Sequence, residues 1–134
     1  MGKPDYETLR KQFKTLERIM SDLRENWLFV EGKRDKFALE QLGCKKIMTI
    51  SGNLRRTCER LGPDVQNVIV LTDLDRRGDQ QLFAAKDELE ACSIRADIET
   101  RKRLAWILGL RCFEDAARRY EEFMELVSET KTKR

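Results

Sequence analysis

The run Val68-Ile69-Val70-Leu71 constrains the fold more than any other feature of the chain. It is aliphatic at every position and mostly β-branched, so neither of its faces suits water. A strand of that kind belongs in the middle of a parallel sheet covered by helices on both sides. Parallel neighbours need crossover connections, usually helical. Trp27-Leu28-Phe29-Val30 is a second short apolar run, ending at Glu31-Gly32, and residues 46–50 form a third, closed by Ser51-Gly52-Asn53. Residues 93–99 alternate, with Ile94, Ala96 and Ile98 on one face and Arg95, Asp97 and Glu99 on the other, the pattern of a half-exposed edge strand.

Helical segments are predicted at residues 35–42, 54–61, 78–91, 101–108 and 112–128, with residues 131–134 as a frayed tail. Asp35 is a candidate N-cap, and Gly43 and Gly62-Pro63 are candidate stops. Ahead of the first strand, residues 5–25 place Tyr6, Leu9, Phe13, Leu16, Met20 and Leu23 at steps of three and four, one apolar stripe on a helix. The stripe has a heptad rhythm and so suits a dimer seam, but three heptads are short for an independent coiled coil, and packing onto the chain's own sheet is the expectation.

Strands alternating with helices imply an α/β domain, a compact parallel four-stranded sheet flanked by helices, with an extra N-terminal helix and C-terminal helices. A chain of 134 residues suits a single domain, with a core over about residues 26–100, the N-terminal helix at 5–25 and the C-terminal helices at 101–128. With 40% apolar and 38% charged residues it is neither disordered nor membrane-spanning in composition. No apolar run approaches the ~18 residues of a bilayer span. The polar N-terminus lacks the apolar stretch of a signal peptide, so a cytoplasmic location is expected. Cys44, Cys58, Cys92 and Cys112 form no CxxC pair and are expected as reduced, buried apolar groups.

The chain contains no histidine. That removes histidine general bases, Ser-His-Asp triads and histidine-ligated zinc. A metal would have to be held by oxygen ligands or isolated thiolates, and oxygen ligands select hard cations, Mg²⁺, Ca²⁺ or Mn²⁺. The net charge of +3 is too small to argue for nucleic acid by itself, so the placement of charge matters more.

Ligands of open α/β sheets bind beyond the carboxyl ends of the strands. Glu31 follows the first strand there, and Asp73 and Asp75 follow the third. If those strands are neighbours, the three carboxylates share one crevice, and their mutual repulsion is relieved by a divalent cation. The plainer reading is that the Asp pair caps the next helix. Gly78 suits a backbone turning sharply beside the site, or is a plain loop glycine.

The segments Val30-Glu31-Gly32-Lys33-Arg34-Asp35 and Thr72-Asp73-Leu74-Asp75-Arg76-Arg77-Gly78 together resemble the Toprim domain. That domain is shared by type IA and type II topoisomerases, bacterial primases, the ribonuclease that matures 5S ribosomal RNA, and recombination proteins. The resemblance covers residues 27–99 and is strongest to small stand-alone Toprim proteins of archaea and bacteria and to that ribonuclease. It implies that Glu31 serves as general acid/base and also as a metal ligand, that Asp73 and Asp75 bind Mg²⁺, and that the reaction is phosphodiester transfer or hydrolysis on RNA or DNA. Tyr6 and Tyr120 lie in amphipathic helices, so a topoisomerase-type tyrosine nucleophile is missing from the pattern.

Lys33, Arg34, Arg76 and Arg77 directly follow the acidic motifs and, with Gly78 and Arg101, are the expected phosphate and nucleic-acid contacts. Arg101-Lys102-Arg103 opens a helix, where cations oppose the macrodipole; a bound phosphate, or ion pairs to Asp97 or Glu99, would explain them. Arg55-Arg56 is a weaker candidate. The alternative function is a non-catalytic module that binds nucleic acid or a protein partner, or forms a homodimer, through the terminal amphipathic helices. A D-x-D phosphatase is disfavoured, because that motif normally follows the first strand.

Overall fold

The computed structural model describes residues 5–50 and 52–132, the last two by backbone alone. Its elements are α1 (Tyr6–Glu25), β1 (Trp27–Val30), α2 (Lys33–Gln41), β2 (Ile47–Thr49), α3 (Leu54–Glu59), β3 (Asn67–Leu71), α4 (Arg76–Ala91), β4 (Arg95–Asp97), α5 (Thr100–Leu108), a 3₁₀ turn (Phe113–Asp115) and α6 (Ala116–Thr132). The strands form one parallel sheet in the order β2-β1-β3-β4. The sheet is the one expected, and β3 and β1 lie side by side at its centre.

The pleat explains why both central strands are apolar throughout. Leu28, Val30, Ile69 and Leu71 point to one face, where they meet Leu16, Met20 and Leu23 of α1, Leu39 of α2, Leu104 and Leu108 of α5, and Phe123 of α6. Phe29, Val68 and Val70 point to the other, against Cys58 of α3 and Leu82, Ala85 and Leu89 of α4. The stripe of α1 is therefore used within the chain, against α5 and α6 as well as the sheet side, and is not left as a dimer seam.

Several boundaries differ from expectation for identifiable reasons. Asp35 is not the N-cap of α2. The cap is Gly32, which has no side chain, and Asp35 in the first turn reaches back to accept the Gly32 N–H at 2.9 Å. Helix α4 begins two residues early because Asp75 caps it, accepting the Gly78 N–H at 2.6 Å. Strand β4 is short because Asp97 turns to accept the Glu99 and Thr100 N–H groups, both at 3.0 Å, and the Thr100 hydroxyl at 2.6 Å. The segment expected as one helix over 112–128 is a 3₁₀ turn followed by α6, because the fully buried Phe113 donates its N–H to Asp73. Helix α6 runs on to Thr132 where a frayed tail was expected. Ser51 and residues 1–4 and 133–134 lie outside the described residues. No helix among the described residues is long and apolar enough to cross a membrane.

Of the cysteines, Cys44 and Cys58 are buried and free, and burial pushes both thiols up to about 11. Cys92 and Cys112 are only half-buried, so they are not the closed apolar groups expected.

Candidate functional site

The order β2-β1-β3-β4 places the chain's change of direction between β1 and β3, where successive connections run to opposite sides of the sheet. Crevices of this kind are the usual binding sites of open α/β sheets. Val30 is in register with Leu71, so Glu31 and the Thr72-Asp73 segment leave the sheet side by side. A Glu31 carboxylate oxygen accepts the Asp73 N–H at 2.6 Å. Asp73 Oδ1 in turn accepts the Phe113 N–H at 3.0 Å, and the Leu74 N–H donates to the Arg111 carbonyl at 2.8 Å. The D-x-D segment is thus held by β1 on one side and by the returning C-terminal chain on the other.

Three carboxyl groups gather here. Glu31 and Asp73 lie within hydrogen-bonding reach of each other, and burial followed by the nearby Asp73 and Asp35 carboxylates raises Glu31 above the ordinary carboxyl range, against the pull of the Asp73 N–H. Asp35, only 8% exposed, is raised by burial and by Asp73 and Glu114, against the Gly32 N–H. Cys112 is raised first by burial and then by Asp73, Glu114, Asp115 and Asp75. No lysine or arginine forms an ion pair with Glu31, Asp73 or Asp75 among the described residues. Asp75 takes the helix-capping role of the plainer reading through Oδ1.

Gly78 is a close-approach glycine. A Cβ there would lie 1.8 Å from the Asp73 carbonyl oxygen. The Thr72 hydroxyl donates to the Gly78 carbonyl at 2.7 Å, which ties the first turn of α4 to the end of β3.

Arg101 is not a phosphate contact. It is 1% exposed, with Nε donating to the Thr72 carbonyl at 2.7 Å and Nη2 to the Asp73 carbonyl at 2.6 Å and to Asp79 Oδ1 at 2.8 Å. Its partner is Asp79, not Asp97 or Glu99. The guanidinium lies inside, where it sets the D-x-D backbone, and it has no surface left for a ligand. Lys33, Arg34, Arg76 and Arg77 are exposed in the first turns of α2 and α4, beside the acidic groups. Arg34 approaches Glu114 at 3.9 Å, and Arg55 is paired with Glu88 at 3.4 Å on α4. Sequence reasoning missed Asp35 as a neighbour of the carboxylates, read Cys112 only as a buried apolar group, and missed Arg111 and Phe113 altogether. No local signal marks the last three, since only the chain's return brings them here.

Comparison with known proteins places the chain in a family. The chain is 30% identical to a UPF0292 protein of Methanosarcina barkeri over 113 residues, 77% of each chain. It is 32% identical over 100 residues to a UPF0292 protein of Pyrococcus abyssi, covering 72% of this chain and 76% of the other. The chain belongs to the UPF0292 family. Among solved structures, a putative protein from Aquifex aeolicus superposes with a TM-score of 0.66 at 25% identity, over 75% of this chain and 96% of that one. No family profile matches the chain. The UPF0292 name carries no activity, so chemistry must be argued from the site.

Among the described residues no group of three or more His, Cys, Asp or Glu side chains is arranged as a ready metal cage. Mg²⁺ does not need one. It commonly takes one or two carboxylates and keeps several waters. The adjacent Glu31 and Asp73 carboxyl groups, with no cation paired to them, have the oxygen donors and the uncompensated charge that such an ion relieves.

Proposed function

We propose that this UPF0292 protein is a Toprim-type, Mg²⁺-dependent enzyme that transfers or hydrolyses phosphodiester bonds in nucleic acid. The observation that carries the reading is the contact between Glu31 and Asp73 across the centre of the sheet. It joins the two sequence motifs that resemble the Toprim domain, at the place where α/β sheets bind ligands. Glu31 and Asp73, whose carboxyl groups are adjacent, would hold Mg²⁺, with Asp75, whose Oδ1 also caps α4, as the third ligand. A bound Mg²⁺ neutralises charge on a phosphodiester and lowers the pKa of bound water.

The chain's own residues supply the rest. Glu31, raised above its ordinary value by burial and by Asp73, holds a proton more readily than a free carboxylate and is placed to exchange one with a substrate oxygen. Its bond to the Asp73 N–H fixes its orientation. Arg101 and Gly78 act as positioning residues, setting the Asp73 carbonyl and the first turn of α4. Lys33, Arg76 and Arg77 are exposed at helix N-termini, where phosphates are favoured, and can hold the nucleic-acid backbone.

The test follows cleavage of labelled RNA and DNA with Mg²⁺ and with EDTA. Turnover that needs Mg²⁺ and falls by at least about 100-fold in Glu31→Gln and Asp73→Asn supports the reading. Turnover unchanged in Asp73→Asn and Asp75→Asn removes the assignment. Nucleic-acid binding without turnover, persisting in EDTA, favours the non-catalytic module.

A further inference from the structure

The structure divides the Arg101-Lys102-Arg103 cluster. Arg101 turns inward and is accounted for, whereas Lys102 and Arg103 are exposed. They lie three or four residues before Trp106, so all three share one face of α5. Trp106 is 81% exposed, the most exposed large apolar side chain among the described residues. Across from it, Lys11, Gln12 and Thr15 of α1 complete a shallow cleft, with Ile107 at its base. No carboxylate lines this cleft, and none of Lys11, Lys102 and Arg103 forms an ion pair among the described residues.

We infer that this cleft binds single-stranded nucleic acid, with a base stacked on the Trp106 indole and phosphates held by Lys11, Lys102 and Arg103. The chemistry selects this occupant. A flat ring left in water among three unpaired cations is the pairing that single-strand binders use, because every base has a π-face and every linkage a negative charge. A protein interface has a wider apolar centre with few charges, and here the ring's only apolar neighbour in the cleft is Ile107. Membrane binding at an interface needs an extended apolar face, and a single indole is not one. Two cations in the first turn of α5 oppose its macrodipole, and a phosphate between them offsets that cost. Arg101, the residue before Lys102, donates to the Asp73 main-chain carbonyl, so the helix that carries the cleft's cations begins beside the acidic segment. As a statement about substrate, the inference rests on the reading of that site as acting on nucleic acid.

The test uses the full chain in EDTA, with anisotropy of end-labelled 12-nucleotide oligo(dT), 12-nucleotide oligo(U) and a 12-base-pair duplex measuring affinity for every variant, and tryptophan quenching as a second readout where Trp106 is present. The expected result is saturable quenching by the single strands and weak binding of the duplex. Trp106→Ala should weaken single-strand binding about 5- to 150-fold, the span of stacking on one base. The Lys102→Ala, Arg103→Ala double variant should make the plot of log K against log salt shallower by about 1.4, two phosphates' worth. Both positions are exposed, and unchanged circular dichroism melts confirm folding. Single-strand affinity unaffected by Trp106→Ala overturns the inference, as does equal binding of duplex. So do binding of vesicles of phosphatidylserine and phosphatidylcholine without oligonucleotide binding, and dimerisation through Trp106 without it. Asp73→Asn protein separates the two readings. Quenching that persists while no variant or wild type cleaves leaves the cleft standing and the enzyme reading fallen. Asp73-dependent cleavage with no role for Trp106 in EDTA does the reverse.

Discussion

Replacing Gly78 by alanine sets two effects of opposite sign against each other. Gly78 lies in the first turn of α4, and alanine is a better helix former than glycine by about 1 kcal/mol. At an open helical position the change would stabilise. Here the added Cβ would lie 1.8 Å from the Asp73 oxygen and 2.7 Å from its carbon, so the backbones must separate by more than an ångström. Neither side is free to move. The Asp73 carbonyl receives Arg101 Nη2, the Gly78 carbonyl receives the Thr72 hydroxyl, and the Gly78 N–H caps into Asp75. Overpacking of this kind costs about 1–3 kcal/mol, and weakening these bonds adds about 1 kcal/mol or more. Set against the alanine gain, the net expectation is a loss of about 1–3 kcal/mol. For a chain of this length that lowers Tm by roughly 4–11 °C. Urea and thermal unfolding followed by circular dichroism measure it, with Gly62→Ala as control, since a Cβ there meets nothing within 4 Å. A neutral or stabilised Gly78→Ala protein would show that the turn is not packed as described, and the positioning role of Gly78 would go with it.

Four further outcomes follow from the same contacts. Arg101→Met leaves two buried carbonyls and Asp79 without their donor, and should cost about 3 kcal/mol in urea unfolding. Arg101→Lys should recover little of it, because one ammonium cannot span three acceptors; full recovery would mean the charge alone matters. In EDTA, Glu31 and Asp35 are held above their unfolded values of 4.5 and 3.8, so the folded chain binds their protons more tightly. Their stabilising contribution is full below those values and is lost as pH rises through the folded ones, so this contribution to Tm should fall as pH rises above 4.5, and the slope should flatten in Asp35→Asn. Added Mg²⁺ should raise Tm at pH 7.5 and less at pH 5.5, where protons compete, and Asp73→Asn should abolish the rise. Asp73→Asn should also stabilise the metal-free chain by about 0.5–2 kcal/mol, because it removes charge repulsion while an amide oxygen still accepts the Phe113 N–H. A destabilised, Mg²⁺-responsive Asp73→Asn protein would contradict both statements.

The sheet was legible because its strands announce themselves locally. Val68 to Leu71 has no polar face and had to be central, and Trp27 to Val30 is a second continuous apolar run. Placing Glu31 beside Asp73 then depended on these two strands being neighbours, which they are. What stayed hidden depended on how helices dock. Arg101 and Lys102 are adjacent cations at one helix start, and nothing local says that one enters the interior and the other faces water. The docking of α5 decides it. Asp35 looked like a cap because the residue that takes that place, Gly32, has no side chain to signal it. Trp106 breaks the usual link between apolar character and burial: Leu104, Ala105 and Leu108 fill the inward face of α5 and leave the indole outside. Arg111 to Phe113 meet the D-x-D segment only through long-range return of the chain.

That return has a consequence for synthesis. The Leu74 N–H donates to the Arg111 carbonyl, and Asp73 Oδ1 accepts the Phe113 N–H. A nascent chain can complete its sheet before those residues leave the ribosome, yet its acidic segment then lacks half its support. A product ending near residue 110 would keep every acidic residue of the motifs and still lack the clasp that shapes them. Premature termination in this chain therefore removes the geometry of a centre whose own residues have all been made.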